Sequence, residues 1–483
     1  MLFNSFEYLI FLPVIFILYW SIKPGKYRWQ NVLLLIASYI FYGFWDYRFL
    51  FLLLFSTLLD YYTGLKIFQA QTKKYKKRWL LLSILVNLGF LGFFKYYNFF
   101  IESFSDFLSV LGFQPHIWTL KIILPVGISF YTFHGLSYVL DIYKGKIKPT
   151  KNVVDYSLFI SFFPLLVAGP IERATHLLPQ LQKPRSFSYE RASNGLKQIL
   201  WGLFKKVVVA DNCAVIISLN YLNYESLPAS NLILGAVLFS FQIYGDFSGY
   251  SDIALGSARL LGIDLLKNFN YPFFSRDIVE FWQRWHISLT TWFRDYLFIP
   301  LGGSRVSKIK VIRNLVIVFF VTGFWHGANW TFIVWGLGHA VLYIISAIIN
   351  GNRYKNNVVA EGKLLPTWRE SLSVMITFSL VTFGWIIIGS ENLSVAFDII
   401  TNIFSYSIFQ PPIIEGLFRP RNFTPAIVSI IMLLFIEWFN RTKNFGLDFT
   451  SKNKFFRWTL YIVLILMIIE VGGTQKDFIY FQF

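Results

Sequence analysis

Two aromatic stretches are the most informative part of the chain: residues 280–303, EFWQRWHISLTTWFRDYLFIPLGG, and residues 321–330, VTGFWHGANW. Each carries one histidine, His286 or His326, among side chains typical of a membrane interior. An imidazole there needs a hydrogen-bond partner where little water reaches, so an ionisable residue in such a place is a candidate functional residue. The charges within residues 270–310 are too many for a lipid-facing span. They predict short buried or amphipathic helices that line an aqueous cavity.

The chain as a whole has the composition of a helical membrane protein. Of its 483 residues, 55% are hydrophobic and 14% are charged, whereas soluble proteins carry about 25% charged residues. Apolar runs of about 17–23 residues recur along the chain, and each is long enough to cross a bilayer as a helix. We therefore predict an all-α polytopic integral membrane protein with about 10–12 transmembrane helices, plus re-entrant and interfacial helices.

The apolar runs also predict where the chain crosses the membrane. We expect spans near residues 6–22, 30–46, 48–65, 79–94, 119–140, 192–220, 231–262, 311–326, 328–350, 371–390, 424–440 and 456–472. Residues 161–169, SFFPLLVAG, are too short to cross, and Pro164 predicts a re-entrant or broken helix. We see no linker or soluble domain, so a single domain at 1–483 is expected, with a catalytic core at about 119–350.

The net charge of +18 fits the positive-inside rule, because Lys and Arg cluster in short loops. Clusters at 23–28 and 73–78 would be cytoplasmic, which places the N-terminus outside. The cluster at 144–151 fits this topology only if residues 99–113 lie along the membrane. We find no basic stripe with interleaved stacking aromatics, so no nucleic-acid partner is expected.

The two histidines are candidates for acid–base chemistry. Histidine is the usual general base at neutral pH, since its unperturbed pKa is about 6.5. Transfer of an acyl group to a hydroxyl needs such a base, and Gly327 after His326 would let a substrate approach closely. His286 can reach His326 only through tertiary packing. If one helix continued from His326 to His339, those two residues would lie about 140° apart and would not share a face.

Structural explanations compete with each of these hypotheses. His286 can be a polar cap on an interfacial helix, and His326 a hydrogen-bonded core residue. Structural roles are favoured for a further set of side chains: His116, His134, His176, His339 and Cys213. No metal site is expected, because no HExxH motif or carboxylate at ligand spacing accompanies the histidines. Asp246 and Asp252 fall within a predicted span and suggest either a proton pathway or, as we favour, ion pairs with Arg259 or Arg276.

A set of short motifs runs along almost the whole chain: residues 3–5, 124–133, 167–171, 244–256, 268–272, 281–303, 324–330 and 478–483. By these motifs the chain resembles the membrane-bound O-acyltransferases, and specifically their bacterial alginate O-acetylase branch. The resemblance implies a ring of tilted helices around a central tunnel. It also implies that His326 is the catalytic histidine and that His286 is the second polar residue of the active site.

The resemblance further implies the substrates. The donor would be cytoplasmic acetyl-CoA, with no bound cofactor, and the acceptor would be a hydroxyl of an extracellular polysaccharide or peptidoglycan. A separate periplasmic or cell-surface acetyltransferase would be a partner, and the chain would lie among the lipids of the cytoplasmic membrane. Candidate substrate-binding residues are Trp325, Asn329, Trp330, Arg284, Trp285 and Arg294, with the two arginines assigned to phosphate groups.

Three alternatives remain open at this point. One is transfer of D-alanine from a carrier protein to teichoic acid, which belongs to a sister branch with the same two histidines. Another is a transporter of acylated glycan, although we find no inverted repeat with paired broken helices. The third is a catalytically silent scaffold that recruits glycan-modifying enzymes.

Overall fold

The computed structural model describes residues 1–113, 120, 122–351, 357–413, 420–449, 453–473, 476 and 478–479. The predictions made for His116 and for residues 480–483 lie outside these ranges. Within them every regular element is helical and no β-strand occurs. The all-α prediction is therefore confirmed.

The α-helices follow one another in this order: α1 (Phe6–Ser21), α2 (Tyr27–Asp46), α3 (Leu50–Gln69), α4 (Lys73–Leu91), α5 (Tyr97–Val110), α6 (Ile128–Tyr143), α7 (Val153–Ser161), α8 (Phe163–Leu166), α9 (Ala174–Leu181), α10 (Tyr189–Leu203), α11 (Asp211–Leu222), α12 (Ala229–Leu260), α13 (Ile278–Arg284), α14 (Ile287–Phe293), α15 (Lys308–His326), α16 (Trp330–Asn350), α17 (Trp368–Gly389), α18 (Leu393–Ile403), α19 (Pro420–Phe439) and α20 (Lys454–Glu470). Wider π-helical turns occur at Gly92–Tyr96, Phe204–Ala210 and Arg294–Phe298. Short 3-10 turns occur at Tyr47–Phe49, Pro272–Phe274 and Tyr406–Phe409.

Six helical segments of the described chain are long and apolar enough to cross a membrane: Tyr27–Gln69, Lys73–Val110, Ala229–Leu260, Lys308–His326, Trp330–Asn350 and Trp368–Gly389. Three shorter helices are also apolar: Phe6–Ser21, Leu393–Ile403 and Phe423–Phe439. Large exposed side chains such as Leu85 and Phe51 cover these helices, as expected where lipid rather than water is the neighbour. The chain is a multi-pass membrane protein.

The chain divides into two compact units. The first comprises Met1–Ser193 and Ser257–Leu266, and the second comprises Asn194–Gly256 and Lys267–Phe483. In the first unit, Asp60 of α3 accepts hydrogen bonds from Ser83 at 2.6 Å and Asn87 at 2.8 Å. A buried carboxyl needs such donors, because an unsatisfied polar group at membrane depth is costly. That the whole chain forms one functional domain stays a prediction.

The first unit corrects one predicted span and confirms a predicted break. Residues 119–140 were expected to form one helix, but α6 begins only at Ile128, because Gly127 before it has a left-handed backbone (φ 74°). A Cβ at Gly127 would lie 2.3 Å from the carbonyl oxygen of Leu166, so only glycine fits. Residues 161–169 form a broken helix as predicted, since α7 ends at Ser161 and α8 begins at Phe163. α5 continues the helical path of α4 through a π-helical turn, and its position along the membrane stays a prediction.

The second unit corrects the predicted partners of the two buried acids of α12. Asp252 pairs with Lys205 at 2.5 Å and Asp246 pairs with Lys206 at 2.7 Å, so the proposed pairing with Arg259 or Arg276 was wrong. The reason is the glycine face of α12, which lets the π-helical segment that carries both lysines approach. A Cβ at Gly245 would lie 2.9 Å from the carbonyl oxygen of Lys205.

Candidate active site

Two helix ends in the second unit position His326. α15 stops at His326, because Gly327 adopts an extended backbone with φ −156°. Asn329 then caps α16, its side-chain oxygen accepting a hydrogen bond from the backbone N–H of Thr331 at 3.0 Å. One helix therefore does not run from His326 to His339, so the 140° separation predicted for a continuous helix does not apply to these two residues.

Close contact between α15 and α16 fixes the position of that helix end. A Cβ at Gly323 would lie 2.3 Å from the carbonyl oxygen of Phe332, and one at Gly336 would lie 2.5 Å from that of Phe319. The two glycines thus let the backbones of the helices touch. Because Gly323 lies within one turn of His326, this contact also holds the histidine in place.

His286 is positioned by an unusual backbone conformation immediately before α14. Its φ of 42° and ψ of 51° are left-handed, a region that few residues other than glycine adopt. The neighbouring Ile287 N–H donates to the carbonyl oxygen of Asn268 at 2.9 Å, and the Ser288 hydroxyl donates to the side-chain oxygen of Asn268 at 2.6 Å. Backbone strain of this kind costs about 1–3 kcal/mol and is concentrated at functional sites.

Tertiary packing brings the two histidines together. The ring centroids of His286 and His326 lie 6.1 Å apart. Around them stand Trp325, at 5.8 Å from His286, Phe247, at 4.6 Å from His286, and Trp335, at 5.4 Å from His326. Aromatic rings thus surround the two imidazoles, and together these five side chains form the cluster called the pocket here.

The pocket is closed to bulk solvent. His286 is fully buried and His326 is 5% exposed. Neither ring nitrogen of His286 has a hydrogen-bond partner among the described residues, so both are available to a substrate. Burial lowers the pKa of the His286 imidazole well below its ordinary value, and the neighbouring His326 acts in the same direction. His286 is therefore neutral at physiological pH and presents one donor and one acceptor nitrogen.

The other residues predicted to bind substrate differ in how close they lie to the histidine pair. Trp285 is buried and contacts Trp385 with centroids 5.1 Å apart, behind the histidine pair. The Asn329 amide donates to the carbonyl oxygen of Glu391 at 3.1 Å in addition to capping α16, so its side chain is already engaged. Trp330 is 52% exposed. Of the predicted binding residues, only Trp325 makes a ring contact with both histidines.

The two predicted arginines line a cavity of about 580 Å³. Apolar side chains form most of its wall, including Phe319 on α15, Trp282 and Phe293. Arg284 is bound to Glu280 at 2.9 Å and donates to the carbonyl oxygens of neighbouring loops. Arg294 is paired with Asp295 at 2.9 Å, and its side chain is 58% exposed. Arg294 is therefore the more accessible of the two.

Sequence reasoning missed several residues of the pocket: Phe247, Asn268, Trp335 and Trp385. They come from α12, the loop before α13, α16 and α17, and no local spacing links them. The sequence signal for Phe247 and Asn268 was their position within the motifs 244–256 and 268–272, whereas Trp335 and Trp385 lie outside both. His339, assigned a structural role, accepts a hydrogen bond from the Trp282 indole at 3.4 Å. No group of three or more metal-ligating side chains occurs in the described part of the chain.

Residues 42–386 match the model of the membrane-bound O-acyltransferase family. The chain belongs to this family. It is 40% identical over 412 residues to a probable alginate O-acetylase of Pseudomonas aeruginosa, covering 85% of this chain and 76% of that protein. It is 37% identical over 429 residues to a peptidoglycan O-acetyltransferase of Helicobacter pylori, covering 83% and 79%.

A more distant relative belongs to the sister branch. The chain is 32% identical over 296 residues to a teichoic acid D-alanyltransferase of Bacillus subtilis, covering 58% of this chain and 72% of that protein. Both histidines of the pocket fall within the region that matches the family. This membrane-bound O-acyltransferase is therefore an enzyme, which argues against the transporter and silent-scaffold alternatives.

Proposed function

We propose that the enzyme moves acetyl from cytoplasmic acetyl-CoA across the membrane to a hydroxyl group of an extracytoplasmic polysaccharide. The observation that carries this proposal is the buried pair His286 and His326, 6.1 Å apart between ring centroids. Support for acetyl as the transferred group comes from the relatives, a probable alginate O-acetylase and a peptidoglycan O-acetyltransferase. The enzyme would lie in the cytoplasmic membrane, with a tunnel joining its two faces.

In this mechanism His326 acts as the general base. It accepts the proton of the attacking hydroxyl while the oxygen forms a bond to the thioester carbonyl carbon. The carbon–sulfur bond then breaks, and the proton passes from His326 to the departing thiolate of coenzyme A. A base of this kind contributes about 10²–10⁴-fold to the rate.

His286 polarises the thioester carbonyl as a neutral hydrogen-bond donor. A hydrogen bond to each ring needs a heavy-atom separation of about 2.6–3.2 Å. Rings whose centroids lie 6.1 Å apart can hold one reacting centre between them. The aromatic wall keeps water out, which strengthens the interaction of His286 with the developing oxyanion. Trp325 shapes the pocket beside both rings.

The donor binds, in this proposal, through the cavity that leads along α15. Arg294 would hold the phosphates of coenzyme A, since a guanidinium binds phosphate with two parallel hydrogen bonds. Arg284 is already committed to Glu280, so it would support the cavity wall. Asn329 and Trp330 would border the acceptor side, and a periplasmic or cell-surface acetyltransferase would be the partner that completes transfer.

D-alanyl transfer from a carrier protein to teichoic acid is the second candidate. It is favoured by the likeness to the Bacillus subtilis D-alanyltransferase, which extends over 58% of this chain. Acetyl transfer is preferred, because the O-acetylase relatives match at higher identity and over more of the chain.

The test measures release of free coenzyme A from acetyl-CoA by the purified enzyme in nanodiscs, with an alginate or peptidoglycan acceptor. The assay compares wild type with His326→Ala and His286→Ala. The control variant is His176→Ala, because the His176 side chain is 37% exposed and pairs with Glu172. Acceptor-dependent release that is lost only in the two pocket variants supports the proposal. Equal release by His326→Ala and wild type would refute it. Activity with a D-alanyl carrier protein but not with acetyl-CoA would establish the second candidate.

A further inference from the structure

The segment after α20 packs along the π-helical turn Phe204–Ala210 and the start of α11. The side-chain amide of Asn212 donates to the carbonyl oxygen of Val471 at 2.9 Å, and the Gly473 N–H donates to the carbonyl oxygen of Val207 at 3.0 Å. A Cβ at Gly473 would lie 2.7 Å from the backbone of Asp211. This close approach requires glycine and fixes the position of the chain at Gly473.

Lys206 binds this segment at its far end. The lysine Nζ donates to Asp211 at 2.8 Å and to the carbonyl oxygen of Lys476 at 3.0 Å, and it lies 2.7 Å from the carboxylate of Asp246. The other oxygen of Asp246 accepts the N–H of Ile479 at 2.6 Å. The side chains of Lys206, Asp211 and Asp246 are at most 3% exposed. A buried ion-pair cluster thus ties the segment to α12.

The contacts of Lys206 and Asp246 place Phe478 against Phe247, one of the aromatic rings around the histidine pair. Phe478 is fully buried. Its ring lies 4.7 Å from Tyr250 and 5.9 Å from Phe247, between centroids. Phe247 in turn meets His286 edge to face at 4.6 Å. One continuous set of contacts therefore runs from Lys206 to the imidazole of His286.

This chain of contacts matters because packing, rather than hydrogen bonding, holds the ring of His286. Its two nitrogens have no hydrogen-bond partner among the described residues, so packing determines where the ring points. Phe247 is the nearest ring to it at 4.6 Å, whereas Trp325 and His326 stand at 5.8 and 6.1 Å. A displacement of about 1 Å in a reacting group can cost about 10²-fold in rate.

We infer that Phe478, held by the Lys206–Asp246 pair, is a positioning residue that orients His286 through Phe247. The inference rests on the proposed function, since it needs His286 to act in acyl transfer. Phe478 contacts Phe247 and Tyr250, so it acts on His286 through Phe247. Its loss should therefore lower kcat and leave the KM for acetyl-CoA almost unchanged.

The experiment compares Phe478→Ala and Phe478→Leu with Phe455→Ala, a matched control on α20 whose ring is 80% exposed. Phe478→Ala should lower kcat about 10-fold or more, with KM within about twofold, while Phe478→Leu, which restores bulk, and Phe455→Ala should stay near wild type. Asp246→Asn keeps an acceptor for the Ile479 N–H and provides a second, milder variant. It should lower kcat to an intermediate degree.

A double variant separates this role from a general loss of folding. If Phe478 acts through Phe247, adding Phe478→Ala to Phe247→Ala should lower kcat little further. The inference is overturned if the two losses multiply, if KM rises while kcat holds, or if Phe478→Ala matches Phe455→Ala. His286→Ala, measured in parallel, distinguishes a failure of the proposed function from a failure of this inference. Unchanged activity in His286→Ala would remove the proposed role of His286 and the inference with it, whereas loss there without loss in Phe478→Ala would overturn the inference alone.

Discussion

His286 and His326 lie with ring centroids 6.1 Å apart, although one precedes α14 and the other ends α15. Each is placed by a different device. A left-handed backbone directs His286, and a glycine contact between α15 and α16 fixes the helix end that carries His326. The pair therefore depends on the backbone at two separate places in the fold, the turn before α14 and the contact between α15 and α16.

The glycine contact between α15 and α16 should tolerate no added methyl group. Gly323→Ala places a Cβ 2.3 Å from the carbonyl oxygen of Phe332, and overpacking of this kind costs about 1–3 kcal/mol. We expect a lower melting temperature and reduced activity, measured on purified protein. Gly338→Ala on α16 is the control, because a Cβ there meets nothing within 4 Å. If both variants melt alike, the contact does not hold the helices together.

The ion-pair cluster around Lys206 should be necessary for stability. Lys206→Met leaves Asp211 and Asp246 buried without their cation, and breaking a buried pair costs about 3–5 kcal/mol. We expect a large drop in thermal stability and in yield of folded protein. Lys77→Met, at an exposed position on α4, should have no measurable effect. Equal stability of the two variants would show that the cluster is not structural.

The pair His176–Glu172 should make stability depend on pH. The two side chains lie 2.9 Å apart, and the hydrogen bond to Glu172 raises the pKa of His176. A raised pKa means that this stabilisation is complete below pH 6.5, the ordinary value, and is lost as the pH rises through the higher pKa of the folded state. The side chain is 37% exposed, so the effect should be small.

Thermal unfolding of wild type and His176→Gln at a series of pH values checks this expectation. The difference in melting temperature should be present well below pH 6.5 and vanish well above it. A difference that grows with rising pH would show that the sign is wrong.

Arg294 should contribute to donor binding through phosphate. Arg294→Ala is expected to raise the KM for acetyl-CoA about 10-fold, since a charge-assisted hydrogen bond contributes about 1.5–3 kcal/mol. The KM for acetyl-pantetheine, which lacks the nucleotide phosphates, should not change. Arg305→Ala, an exposed arginine that does not line the cavity, serves as control. Equal effects of Arg294→Ala on both donors would exclude the phosphate role.

Much of the fold followed from sequence because lipid imposes long apolar helices. Most predicted spans agree with helices to within a few residues, as for 231–262 against Ala229–Leu260. The break at residues 161–169 was signalled by Pro164, which cannot continue a long helix. The late start of α6 was missed, because the left-handed turn at Gly127 depends on the distant carbonyl of Leu166.

The site was only partly predictable, since its geometry is tertiary. Composition marked His286 and His326, but nothing in their spacing placed them 6.1 Å apart. The partners predicted for Asp246 and Asp252 were wrong, because lysines rarely lie buried and the π-helical turn that carries Lys205 and Lys206 has no clear sequence pattern. Phe247 was missed because its contact with His286 joins segments that are distant in sequence.

Acetyl transfer across a sealed membrane would show both the activity and the role of His326 in a single assay. Sealed proteoliposomes would enclose the acceptor polysaccharide, together with any partner acetyltransferase it requires, and receive acetyl-CoA labelled in the acetyl group on the outside. We expect labelled polysaccharide inside the vesicles with wild type, and at least about 10²-fold less with His326→Ala, while the vesicles stay sealed and the variant stays folded. Equal labelling by His326→Ala and wild type would contradict the role of His326.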